Sequence, residues 1–140
     1  MKRLLYTLLV FVMASCGGAP MHGTDSGGNA AVQLPTEGKV KVYYFHSKKR
    51  CRGCLAIQSV SEQAVREHFG NNARVEYLEV DFTRRANRAL AGKYEVAFSS
   101  LIIASDKAHT NLTNEAFAYA TINPDTLTGM IVDVVNGYLD

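Results

Sequence analysis

From Lys39 onward the chain alternates between two hydrophobic periods, and this limits its fold more than any other feature. Lys39 to His46 (Lys-Val-Lys-Val-Tyr-Tyr-Phe-His) is dense in β-branched and aromatic residues and reads as a buried strand. After the polar stretch Ser47 to Arg50, Ile57, Val60, Ala64 and Val65 recur at three- and four-residue spacing, which predicts a helix from Cys51 to about Phe69. Gly70-Asn71-Asn72 ends it with turn chemistry, and Arg74 to Asp81 reads as a second strand. Thr83 is a candidate cap for a short helix running to about Tyr94. Ser100 to Ala104 reads as a third strand, Asp106-Lys107 as a turn, and Ala108 to Thr113 as a fourth strand hairpin-paired with the third. Asn123-Pro124 couples a capping side chain to a proline at the first helical position, so a last helix starts there, with Leu127, Met130, Ile131, Val134 and Tyr138 on one face. The predicted order is β-α-β-α-β-β-α. It is an α/β fold with a four-stranded mixed sheet flanked by helices.

A chain of 140 residues accommodates one domain of this kind. Charged residues make up 20% and hydrophobic residues 47%, which excludes a disordered chain and a polytopic membrane protein. A net charge of +2 without a long basic run gives no footprint for nucleic acid, and none is expected as a partner.

The N-terminus carries different information. Met1-Lys2-Arg3 is a short basic segment and Leu4 to Ala14 an apolar run too short for a hydrocarbon core that needs ~20 helical residues. It fits the h-region of a signal peptide. The run ends in Met13-Ala14-Ser15-Cys16, which resembles a bacterial lipobox, with Met where Leu is usual. The resemblance implies that residues 1–15 are a lipoprotein-type signal peptide and that Cys16 becomes a lipidated N-terminus. Several acyl chains would then hold the protein at ~0.8 kcal/mol per buried CH₂. An ordinary secretory signal, with Cys16 incidental, is the alternative. Loss of residues 1–15 leaves 13 basic against 13 acidic residues. Residues 16–38 hold six of the eleven glycines and two of the three prolines, and read as the lipidated cysteine followed by a flexible tether. The domain is placed at 39–140.

Lipidation of Cys16 would account for the odd one of three cysteines and leave Cys51 and Cys54 as a pair. One CxxC is a weak signal by itself, but Cys51-Arg52-Gly53-Cys54 stands where the first strand feeds the first helix. Unpaired N–H groups and the positive end of the helix dipole there favour a thiolate, the attacking species of thiol chemistry. Lys48, Lys49, Arg50 and Arg52 surround Cys51 with four positive charges that act in the same sense. A basic rim of this kind equally suits an acidic partner face. Cys51 is thus the expected nucleophile, and Cys54, one turn on and facing inward with Ile57, the expected resolving thiol.

With this motif residues 39–140 resemble the thioredoxin superfamily. Tyr44-Phe45-His46 followed by Arg50-Cys51-x-x-Cys54 is similar to a group of small bacterial thioredoxin-like proteins. The resemblance implies a thioredoxin-like fold and dithiol–disulfide chemistry with no bound cofactor; two cysteines and scattered histidines fall short of the four ligands of a structural zinc, and no metal is assigned. The resemblance also implies protein thiols or disulfides as substrates. Departures accompany it. Thioredoxins carry a cis-proline before the third strand, and here Ser99 and Ser100 occupy that substrate-docking loop, so a trans peptide is expected. No Asp or Glu lies in the first strand as a proton acceptor, which leaves His46 or water for that role, and Lys49-Arg50 replaces the usual Trp. His46, Arg50 and Arg52 are accordingly the residues expected to tune the sulfurs or move protons. The whole reads as a membrane-tethered, extracytoplasmic thiol–disulfide oxidoreductase, monomeric, lipid-anchored to a bacterial membrane through Cys16 and served by a membrane redox partner. Two other readings stay open: a soft-metal protein binding Cu(I) through the two thiolates, and a non-catalytic interaction module with a structural disulfide.

Overall fold

The computed structural model describes residues 31–140. The expected signal peptide, Cys16 and the first part of the tether lie outside the described residues.

Seven residues of strand β1 (Val40–His46) form the centre of the molecule because both faces of this strand are apolar. Val40, Val42 and Tyr44 point to one side, Tyr43 and Phe45 to the other, and all five are fully buried. A strand of this composition needs a cover on each face, and the flanking elements provide it. β2 (Val75–Asp81) pairs with β1 in parallel, from Val40 opposite Val75 to His46 opposite Asp81. β3 (Ser100–Ala104) runs antiparallel along the other edge of β1, with Phe45 opposite Ser100, and β4 (His109–Asn111) pairs antiparallel with β3. The sheet order is β2-β1-β3-β4.

Helices α1 (Arg52–Phe69) and α4 (Pro124–Leu139) cover the face bearing Val42 and Tyr44. Ile57, Ala64 and Val65 of α1 and Leu127, Ile131 and Val135 of α4 are the residues they bury, at roughly 1.5–3 kcal/mol for each large side chain. The opposite face is covered by α2 (Arg88–Lys93), which buries Leu90 and Ala91 and is followed by the buried ring of Tyr94 against Tyr43 and Phe45. α2 stops in a paired-bond turn. Val96 donates its N–H to the Ala91 carbonyl and Glu95 to that of Gly92, with Glu95 in the left-handed region at φ 55°. The chain is thereby turned back toward the start of β3.

Three differences from the sequence reading have local causes. The segment 83–94 is a single 3-10 turn (Arg85–Asn87) leading into α2, and Thr83 does not cap it, because its amide and hydroxyl are engaged by the Asp81 carboxylate. The fourth strand ends at Asn111, and a further helix, α3 (Thr113–Tyr119), follows it. Asn111 Oδ1 accepts the Thr113 amide at 2.9 Å and turns the backbone out of the strand. Packed structure also begins before residue 39. The Gln33 carbonyl accepts from the Tyr43 hydroxyl at 2.7 Å and from Lys41 Nζ at 3.2 Å, and the Val32 amide reaches Asn87. Composition does not register such bonds from side chains to a loop backbone.

The interface of α4 with α1 should dominate stability. Ile131→Ala is expected to lower the free energy of unfolding in denaturant by about 2–5 kcal/mol. Ile122→Ala, in the 83% exposed position between α3 and α4, should stay within about 0.5 kcal/mol of the native protein.

Candidate active site

The parallel strands β1 and β2 end at the same edge of the sheet, and the polar loop Ser47–Arg50 carries the chain from there into α1. Cys51 is the N-cap of α1: its backbone is extended (φ −83°, ψ 168°), and its sulfur accepts the amide N–H of Cys54 at 3.1 Å. An N-cap acceptor satisfies one of the free amides of the first turn. Cys51 is exposed, whereas Cys54 is only 6% exposed, on the inner side of the same turn. Both are free thiols.

The surroundings of Cys54 are polar despite its burial. Its thiol donates to the Ser99 hydroxyl at 3.6 Å, and its carbonyl accepts from the Tyr44 hydroxyl at 2.7 Å. Burial raises the Cys54 thiol, but hydrogen bonding to Cys51, to Ser99 and to Tyr44 outweighs it and holds the group below its ordinary value. Burial, followed by the charge of Cys54, pushes the Tyr44 phenol up to about 12, so Tyr44 remains a neutral donor.

Of the two serines assigned to the docking loop, Ser99 faces the cysteines. Ser100 is buried, with its hydroxyl donating to the Phe98 carbonyl at 2.9 Å. The peptide between them is trans.

His46 and Arg50 are brought together. The ring of His46 meets the Ser47 carbonyl through Nδ1 at 3.1 Å, and Arg50 donates to Nε2 at 2.9 Å. The same guanidinium bonds Gln58 of α1 and Glu79 of β2, the latter at 3.2 Å, and Gln58 donates in turn to Glu79 at 2.5 Å. Arg50 therefore ties the end of β1, the second turn of α1 and β2 to the residue preceding Cys51. Its charge is balanced by Glu79. Arg52 is exposed at the first position of α1.

Glu79 and Gln58 were not singled out by sequence reasoning. The signal was present in β2, where the face carrying Val75 and Tyr77 continues into a carboxylate. Phe117 was missed because α3 was missed. A Cβ added at Gly53 would stand 3.6 Å from Cδ1 of Phe117 and 3.9 Å from the Cys51 sulfur, which places that ring beside the CxxC. Among the described residues no group of three or more His, Cys, Asp or Glu is placed to hold a metal ion.

No family model and no curated protein matches the chain. Solved structures do. Human ERp44 in its zinc-bound form is similar with a TM-score of 0.50 at 17% identity, over 74% of this chain and 30% of that one. The chain has a thioredoxin-like fold. Two thioredoxins align over more of their own length: that of Fasciola hepatica (TM-score 0.46, 22% identity, 69% of this chain and 82% of that one) and Deadhead of Drosophila melanogaster (0.49, 17%, 70% and 83%). In this thioredoxin-like fold the CxxC stands at the start of α1, with Ser99 of the loop before β3 across from it.

The bond network around Cys54 carries a titration prediction. Cys51→Ala removes one of the groups that lower Cys54, so the thiolate absorbance of Cys54 should appear at higher pH in that variant than in the native protein. An unshifted Cys54 titration would contradict the assigned contact.

Proposed function

We propose that this protein is a thiol–disulfide oxidoreductase acting through Cys51 and Cys54, held outside the cytoplasm by lipid on Cys16. One observation supports the chemistry above the others: an exposed sulfur caps α1, and a second sulfur with a lowered proton affinity lies buried in the same turn. The tether rests on the lipobox resemblance of residues 13–16 and on the apolar run before it.

Starting from the dithiol, the Cys51 thiolate attacks one sulfur of a substrate disulfide. A Cys51–substrate S–S bond forms while the substrate's own S–S bond breaks, and the released thiolate takes up a proton. Cys54 then gives up its proton and attacks the Cys51 sulfur. The Cys51–Cys54 bond forms, the mixed disulfide breaks, and the second substrate thiolate is protonated. Two electrons and two protons pass to the substrate. The same steps in reverse oxidise a substrate dithiol, and a second dithiol–disulfide couple at the membrane resets the pair. Ser99 and Tyr44 hold Cys54 in place and stabilise its anion during the resolving step. Arg50, clamped by Glu79, Gln58 and His46, fixes the loop from which Cys51 projects.

Cys54→Ser should accumulate mixed disulfides through Cys51 that a reductant releases, whereas Cys51→Ser should accumulate none and lose turnover of protein disulfides. Loss of acylation in Cys16→Ala, followed by mass of the mature N-terminus, checks the anchor. An empty trap under both oxidising and reducing growth would overturn the enzymatic reading.

A further inference from the structure

The edge of the molecule that presents Cys51 is apolar near the sulfur and basic around it. Phe98 is 59% exposed and immediately precedes Ser99, the partner of Cys54. Phe117 is 41% exposed and stands over Gly53 beside the Cys51 sulfur. Two large rings left in water, one beside Cys51 and one next to the serine that meets Cys54, form a surface that a partner can cover. Lys48, Lys49 and Arg52 are exposed beside Cys51, and none forms an ion pair within the described residues. Arg85 and Arg88, which follow β2 at the same end of the sheet, are also exposed and without an ion pair there. The carboxylates at this end are largely engaged. Glu79 is held by Arg50 and Gln58, and Asp81 by Thr83 and Arg84, which leaves Glu95 and Glu115. The first turn of α1 has no acidic residue.

We propose that the substrates are polypeptides whose reactive cysteine sits in a segment that is both apolar and acidic. Apolar side chains flanking that cysteine seat against Phe98 and Phe117, and carboxylates next to them face Lys48, Lys49 and Arg52. This selectivity rests on the thiol–disulfide reading above and adds to it the class of partner. The rings supply contact area that does not depend on salt. The basic rim accelerates encounter with an acidic segment and repels a basic one, an effect that salt screens.

The test uses the reduced protein and three peptide disulfides of equal length, with flanks that are acidic and apolar, basic and apolar, or acidic and polar. Each exchange rate is divided by the rate of the same peptide with dithiothreitol, and a small symmetrical disulfide serves as reference. At low salt the acidic apolar peptide should exceed the basic apolar one by about tenfold or more, the lower range of electrostatic steering. That ratio should shrink at high salt, while the advantage of the acidic apolar over the acidic polar peptide persists. Lys48→Glu with Lys49→Glu should reverse the charge preference, and Phe98→Ala with Phe117→Ala should remove the apolar one. Indistinguishable normalised rates for the three peptides, alongside a normal reaction with the small disulfide, would overturn this proposal and leave the oxidoreductase reading standing. So would tight binding to anionic lipid vesicles with no preference among peptides, because the basic rim would then belong to the membrane. Failure of the small disulfide to react would remove the underlying reading, and this one with it.

Discussion

The hydrogen bond from the Cys54 amide to the Cys51 sulfur is the interaction on which the site depends. It makes a cysteine do what a serine or aspartate oxygen does at other helix starts, and so couples the reactivity of one side chain to the formation of α1. The bond requires that the loop after β1 deliver Cys51 in extended geometry, and that Cys54 be held inward. Arg50 supports the first condition through Gln58 and Glu79, and Tyr44 the second through the Cys54 carbonyl. Both supports originate in the central strand β1, in its parallel neighbour β2 or in α1 itself.

Much of this was legible in the residues. β1 could be read because an unbroken apolar run admits only burial on both faces, and α1 because its apolar residues keep a helical period over 18 residues. The start of α4 was marked by Asn123 and Pro124, and the Asn123 side chain does accept the Thr126 amide. The CxxC was legible through its place between these elements. α3 was not. Seven residues bury little beyond Ala116, too short a run to establish a period, and the helix is stabilised by tertiary contact with α1 and α4. Phe117 consequently escaped notice. The tie that Arg50 makes to β2 was not legible for a related reason: its partner Glu79 lies twenty-nine residues further along the chain.

Charge at the site is divided into two populations. Arg50 is neutralised locally and acts as a structural tie, while Lys48, Lys49 and Arg52 remain in solvent. In water each exposed charge contributes little to stability, so the basic rim is better understood through what approaches it. Together with Phe98 and Phe117 it gives the edge around Cys51 both apolar and basic character.

The reduction potential of the Cys51–Cys54 pair, measured by equilibrating the protein in graded glutathione buffers, tests the central claim most directly. The account predicts one reversible two-electron transition at a midpoint between about −270 and −120 mV, the span of dithiol couples that exchange with partners, and its loss in Cys54→Ser. A midpoint below about −300 mV, the range of structural bridges, or the absence of any reversible transition would contradict it.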